Sequence, residues 1–229
     1  MELSLRLKII ANYVDNCESV ADIGTDHGYI PIYLVKKGIC EKAIASDINK
    51  GPIEKAKINV SFEGLTSKIQ CRLGGGLKPL KNNEVNGVII AGMGGNLTRD
   101  ILIDDLEKIK LYDFIILQPA QNPEVLREYL YINKFEIINE DLIKDEDKYY
   151  ELFKVKYNEN KKPLLLENKI NYEISPILMQ QNHPMIKEYI KHKINRYENI
   201  LNYIKEDTDS ANNRKKYLNK TIGALKEMV

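Results

Sequence analysis

Short apolar runs alternate with amphipathic stretches over roughly the first two-thirds of this chain, and that alternation leaves few architectures open. Val20–Gly24, Ala43–Asp47, Ile69–Leu73, Gly87–Ala91 and Tyr112–Leu117 have the length and composition of buried strands. Between them Gly28–Lys37, Pro52–Phe62, Asn96–Lys108 and Pro123–Asn133 show helical spacing, with Pro52 suited to a first turn. Strands apolar on both sides and separated by helices have to lie parallel, with helices on both faces. Phe135–Asn139 and Tyr149–Lys156 follow with little room for a helix between them, so they are expected to pair antiparallel. A leading amphipathic helix over 4–15, with Ser4 as N-cap, carries Leu5, Leu7, Ile10, Ala11 and Val14. The expected fold is α/β: a doubly wound, mostly parallel, seven-stranded sheet.

The remainder is of another kind. N-E-N-K-K-P at 158–163 reads as a linker, and H-P at 183–184 precedes a stripe of Ile186, Ile190, Ile194, Tyr197, Leu201 and Ile204. D-T-D-S-A-N-N (207–213) breaks that helix, and Leu218, Ile222 and Leu225 form a second stripe. The division expected is 1–157 for the sheet domain, 158–179 for a linker and 180–229 for an α-helical coiled-coil hairpin. The 229 residues carry a formal net charge of only +1. From Gln180 onward, however, ten basic residues face six acidic ones, against 24 and 27 in the rest. That basic tail is either a solvated helical face or a footprint for a polyanion.

No apolar run approaches the ~20 residues that span a bilayer, and the N-terminus lacks a signal-peptide layout. Three scattered cysteines (Cys17, Cys40, Cys71) and three scattered histidines give neither a disulfide framework nor a metal site. A cytoplasmic protein without metal or membrane is expected.

The loop after the first strand reads D-I-G-T-D-H-G-Y-I-P (22–31). A dinucleotide-binding turn would place a glycine, close to a pyrophosphate, where this chain has Asp26. A carboxylate repels phosphate and attracts an ammonium or sulfonium. S-adenosylmethionine carries both cations and no phosphate. Asp47 ends the second strand, where a carboxylate can accept both ribose hydroxyls. The competing reading is a tight turn with capping aspartates. His27 is either a cap or packing residue or a contact to cofactor or substrate, and Tyr29 has the same standing. Further glycine-rich loops follow the third and fourth strands, G-G-G-L (74–77) and A-G-M-G-G (91–95). Gly92 and Gly94 leave a bare backbone floor, with Met93 against an adenine ring. L-Q-P-A-Q-N (117–122) supplies Gln118 and Asn122, side chains able to read a base edge or merely to cap a turn.

L-S-L-R-L, A-D-I-G-T-D-H-G-Y-I-P, A-I-A-S-D-I-N-K-G-P, A-G-M-G-G and L-Q-P-A-Q-N, in this order, resemble the bacterial tRNA adenine-22 N1-methyltransferase family. The resemblance covers 1–157 well, including 140–151, and continues more loosely into the tail. It implies a Rossmann-like class I methyltransferase body with a helical hairpin, using S-adenosyl-L-methionine to methylate N1 of an adenine in the D-arm region of tRNA. By motif, Gly24, Asp26, Gly28, Asp47, Asn49, Gly75, Gly76, Gly92 and Met93 would surround the methyl donor. Arg6, His27, Tyr29, Gln118 and Asn122 would face the base, with Asp26, His27 and Tyr29 closest to the chemistry. Arg196, Arg214, Lys215 and Lys216 would grip tRNA phosphates. Two positions depart from the family. Gly75 stands where G-D-G-L is usual, so the cofactor's adenine amine loses a carboxylate, and a backbone carbonyl is the candidate substitute. Ser175 replaces a glycine near the hinge. A monomer or weak dimer is expected. Alternatives are a methyltransferase acting on a small molecule and a non-catalytic RNA-binding module. A nicotinamide dehydrogenase is disfavoured by Asp26.

Overall fold

The computed structural model describes residues 3–229, which form two compact units, the first ending at Leu165 and the second running from Leu166 to Val229. In the first unit the elements are α1 (Leu5–Asn12), β1 (Cys17–Ile23), α2 (Tyr29–Lys36), β2 (Cys40–Asp47), α3 (Lys50–Phe62), β3 (Ile69–Leu73) and β4 (Gly87–Ala91). They continue with α4 (Gly95–Asp104), α5 (Leu106–Ile109), β5 (Phe114–Gln118), α6 (Pro123–Ile132), β6 (Phe135–Asp145) and β7 (Lys148–Tyr157). Seven strands form one sheet in the order β3-β2-β1-β4-β5-β7-β6. β1 to β5 run parallel, and β7 is inserted antiparallel between β5 and β6. The doubly wound sheet expected from the alternation is therefore present.

Its apolar logic is direct. Ile10, Ile30, Leu34 and Val60 from the first three helices bury against Val20, Ala43, Ala45, Ile89 and Ile116 of the central strands. Each fully buried aliphatic side chain contributes roughly 1.5–3 kcal/mol. α4 and α6 pack on one another over the opposite face. Chain order reverses between β1 and β4, which opens a crevice at the carboxyl ends of the strands.

β6 runs to Asp145 rather than ending near Asn139, because ten residues of β7 pair with it, across a register shift at Ile137/Asn139. Pairing overrides the weak strand preference of its acidic residues. Two acids from this hairpin are in fact interior. Glu140 and Glu151 are 3 % and 2 % exposed and converge on the fully buried Arg127 of α6, with the Tyr131 hydroxyl donating to Glu140 at 2.6 Å.

The second unit holds a 3-10 turn (Lys169–Tyr172), α7 (Pro176–Gln180), α8 (Ile186–Tyr203) and α9 (Asp209–Glu227). Of the stretch read as a linker, residues up to 165 belong to the first unit, while Ile170, Tyr172, Ile174 and Leu178 are buried within the second. α8 and α9 form a hairpin through Ile190, Ile194, Leu218, Ile222 and Leu225. The break between them is shorter than 207–213: Thr208 caps α9 by accepting from the Ala211 amide at 3.2 Å, so Ser210, Asn212 and Asn213 fall within helix. A buried carboxylate fastens the unit. Glu173 pairs with Lys193 at 2.8 Å and accepts from the hydroxyls of Tyr197 and Tyr217 at 2.6 and 3.0 Å. Ser175 caps α7 by accepting from the Leu178 amide.

Candidate active site

Two cavities open at the carboxyl ends of the parallel strands and share Gly24, Ala91 and Gly92. The larger, about 410 Å³, lies over β2, β3 and β4. Asp47, Ile48 and Asn49 line it from one side, Gly74–Gly76 and Lys78 from the second, and Met93, Leu97, Ile101, Asp104 and Asp105 from the third. The smaller, about 330 Å³, lies between α1 and the loop after β1 and is lined by Arg6, Asp22, Thr25, Asp26, Tyr29 and Ile30 among others.

The floor between them depends on glycine. Gly24 has φ +77°, and a Cβ there would stand 2.4 Å from the Met93 side chain. The positive φ strains any larger residue at this crossing, and the end of the Met93 side chain would have to move to admit one. The loops after β4 and β5 are stitched together by backbone hydrogen bonds: Gly92 N to Gln118 O (2.9 Å), Ala120 N to Met93 O (2.7 Å) and Gly95 N to Gln121 O (2.7 Å). A Cβ on Gly95 would lie 2.1 Å from the Asn122 carbonyl oxygen, so the approach requires a glycine. A-G-M-G-G and L-Q-P-A-Q-N are thus structural partners of one another.

The residues anticipated from sequence separate into groups. Gly24, Asp47, Asn49, Gly75, Gly76, Gly92 and Met93 line the larger cavity, and Arg6, Asp26 and Tyr29 the smaller. Gly28 is the left-handed N-cap of α2, below the loop. Asp26 is exposed, at φ +50°, with its carboxylate 3.5 Å from His27 Nε2. The His27 and Tyr29 rings are stacked, with centroids 5.0 Å apart and planes 8° from parallel. A base needs roughly twice the ~3.5 Å van der Waals spacing to enter between two rings. His27 therefore backs Tyr29, and only an outer face of the pair can receive a base. Gln118 has no exposed surface, and both ends of its amide have partners within the protein: Nε2 donates to Pro119 O at 2.8 Å, and Oε1 accepts from Arg6. The Arg6 guanidinium also lies over the Tyr150 ring at 5.3 Å. Asn122 is the left-handed cap of α6 and is partly exposed. Arg196, Arg214 and Lys216 are exposed on the second unit. Lys215 is half-buried, donating to the Glu206 carbonyl at 3.0 Å.

Asp22 is the residue that sequence reasoning passed over. In sequence it only opens the glycine-containing loop motif, but at 4 % exposure its carboxyl lines the smaller cavity and accepts from the Thr25 hydroxyl at 2.7 Å. Burial pushes it up to about 6, against the pull of Thr25 and Arg6 and with Asp47 adding to the rise. A buried carboxyl held this high is short of positive charge. The signal in the sequence was a single acid inside an otherwise apolar strand. Ile48, Leu97 and Ile101, apolar walls of the larger cavity, carried no signal that distinguished them from core.

The donor set fits S-adenosylmethionine. Asp22 and Asp26 offer negative charge where an ammonium or sulfonium would lie, Asp47 stands at the end of β2 for ribose hydroxyls, and apolar side chains wall the adenine end. The same acids would repel a pyrophosphate. Among the described residues there is no cluster of three or more metal-ligating side chains, and no helix is long and apolar enough to cross a membrane.

Comparison with known proteins agrees with this chemistry. The profile of a family described as a methyltransferase domain matches residues 3–153. The tRNA (adenine(22)-N(1))-methyltransferase of Bacillus subtilis is 39 % identical over 152 residues, an alignment spanning 66 % of this chain and 64 % of that protein. Over the full fold, the crystal structure of the B. subtilis m1A22 tRNA methyltransferase TrmK superposes with a TM-score of 0.84 at 30 % identity, covering 99 % of this chain and 98 % of that one. Mycoplasma capricolum TrmK, solved with S-adenosylhomocysteine, gives 0.80 and 30 % identity with both chains fully covered. With a matched domain, a closely superposing fold and near-complete coverage, the chain belongs to the tRNA (adenine-22-N1)-methyltransferase family of class I, S-adenosylmethionine-dependent enzymes.

Proposed function

We propose that this protein transfers a methyl group from S-adenosyl-L-methionine to N1 of adenine 22 in tRNA. The observation that carries the reading is the pair of cavities meeting at Gly24, Ala91 and Gly92: the larger suits a nucleoside, and the smaller brings Asp22 and Asp26 to the junction for the cationic tail and opens on the side of Tyr29 and Arg6. Bound in the larger cavity, the cofactor supplies an electrophilic methyl carbon on a sulfonium. Adenine N1 has a lone pair and no proton, so no base is needed to make the nucleophile. The N1–carbon bond forms as the sulfur–carbon bond breaks, leaving a neutral thioether and a cationic base.

The chain's own contribution is alignment and electrostatics. Asp22 and Asp26 hold the donor's ammonium, and their charge favours the cation that develops on the base. Asp47, Asn49, Gly75, Gly76 and Met93 seat the nucleoside. Tyr29, stiffened by the ring of His27, offers the stacking face for an adenine flipped out of the tRNA fold. Arg6, held by Gln118 and Tyr150, lines the smaller cavity, and Asn122, the partly exposed cap of α6, is the candidate reader of the base. Arg196, Arg214, Lys215 and Lys216 bind phosphates, which makes tRNA binding salt-sensitive. The test is to incubate the protein with labelled S-adenosylmethionine and unmodified tRNA and map the product by primer extension, which stops at N1-methyladenine. A stop at adenine 22 is expected. Label on small molecules alone, or none on tRNA, would overturn the assignment.

A further inference from the structure

The larger cavity is also lined by two acids that lie at neither the end of β1 nor the end of β2, Asp104 and Asp105. Ile48, Leu97 and Ile101 give this part of the cavity apolar walls, and the Gly74–Gly76 loop and the last turn of α4 line it beside them. A flat ring would be gripped on its faces there and met by polar groups on its far edge. Gly75 brings no side chain to that edge. Asp105, which follows α4, does. Its side chain is only 17 % exposed. Its Oδ2 stands 3.8 Å from where a Cβ on Gly76 would be, at a loop that lines the cavity. The other oxygen, Oδ1, is 3.5 Å from Lys108 Nζ, which is itself fixed by donation to the Leu77 carbonyl at 2.7 Å. One oxygen is thus tethered to the loop by way of Lys108, and the other lies beside Gly76, both residues lining the cavity. Asp104 also lines the cavity but is exposed and has no such tether.

We propose that Asp105 selects adenine in the donor cavity, its Oδ2 accepting a hydrogen bond from the exocyclic amine in place of the side chain that Gly75 lacks. The proposal rests on the methyl-donor reading given above. A carboxylate at that edge favours an amine and opposes a carbonyl, so the site distinguishes an adenosyl from an inosyl group. An asparagine can instead donate to a carbonyl.

Calorimetric titration of the full-length protein with S-adenosylhomocysteine and S-inosylhomocysteine tests it without turnover. The parent protein is expected to prefer the adenosyl compound by roughly 10- to 100-fold, the range for a hydrogen bond to a charged group. D105N and D105S should both lose most of that preference through weaker adenosyl binding, and D105N should gain affinity for the inosyl compound. D104N should keep the parent's preference. A folded D105N or D105S that retains the preference, a parent that shows none, or a loss seen in D104N instead would each overturn the assignment to Asp105. Binding of neither compound by the parent would refute the donor reading itself, a separate outcome.

Discussion

Asp22 provides the sharpest test, because the structure predicts that removing its charge makes the protein more stable and less able to bind its cofactor. Its carboxyl rises from an ordinary 3.8 to about 6, with burial the largest cause. That difference converts to roughly 3 kcal/mol of destabilisation carried by the ionised group. The sign follows from proton binding: between about pH 4 and 6 the folded state holds a proton that the unfolded state has released. Stability is therefore lost as pH rises through this window and stays lost above it. Asp22→Asn keeps an acceptor for the Thr25 hydroxyl, which donates at 2.7 Å, and removes the charge. At pH 7.5 the variant should be more stable by about 1–3 kcal/mol, or ~3–10 °C in melting temperature for a chain of this size, and the gain should shrink to a small fraction near pH 4. Urea denaturation of both proteins at the two pH values measures it. Affinity for S-adenosylhomocysteine should fall in the variant at pH 7.5, and in the parent as pH drops below about 6. A variant no more stable than the parent at pH 7.5, or a gain that does not change with pH, would refute the reasoning.

Three further outcomes can be checked alongside. Gly24→Ala places a Cβ 2.4 Å from Met93 at φ +77°, and it should weaken S-adenosylhomocysteine binding at least tenfold in calorimetry while costing about 1–2 kcal/mol of stability. Glu173→Gln removes the buried carboxylate that pairs with Lys193 and accepts from two tyrosine hydroxyls, and should cost about 3–5 kcal/mol at neutral pH. Burial would raise this carboxyl, but Lys193 and the two tyrosine hydroxyls outweigh it and hold the group below its usual range. The penalty should therefore close as acid protonates the parent below about pH 4.5, as followed by chemical denaturation. Replacing Arg214 and Lys216 by alanine should reduce the slope of log affinity for tRNA against log salt by about 1–2, and leave cofactor affinity unchanged.

The strand and helix alternation was legible because its signals are local: apolar runs of strand length, helical spacing, and glycines at the turns. β3 and β4 have the same limits in sequence and structure. The hairpin of β6 and β7 was read short for the opposite reason. Glu140 and Glu151 resemble surface charges until Arg127, which reaches them from α6, is known to lie between. Long-range pairing of this kind leaves no periodic mark. The same holds for the stretch before α8, where Glu173 looks like part of a polar connection and is the buried anchor of the helical unit.

The site divides along the same line. Glycines and acids at strand ends point to a cofactor because strand ends are where a doubly wound sheet binds, and no tertiary knowledge is needed to say so. What a side chain touches is another matter. Gln118 reads in sequence as a base-recognition residue, since an exposed amide after β5 could serve one. In the structure both ends of that amide are used within the protein, one on Pro119 and one on Arg6. Its chemistry therefore reaches the cavity through Arg6, whose guanidinium it orients together with Tyr150. Gln118→Glu separates this positioning role from direct base reading. A carboxylate would still bind Arg6, and more strongly, but would lose the bond to the Pro119 carbonyl. If Gln118 acts through Arg6, the KM for tRNA and the pH profile should change together with those of Arg6→Lys, and the double variant should show strong non-additivity. Independent, additive losses would return Gln118 to the substrate.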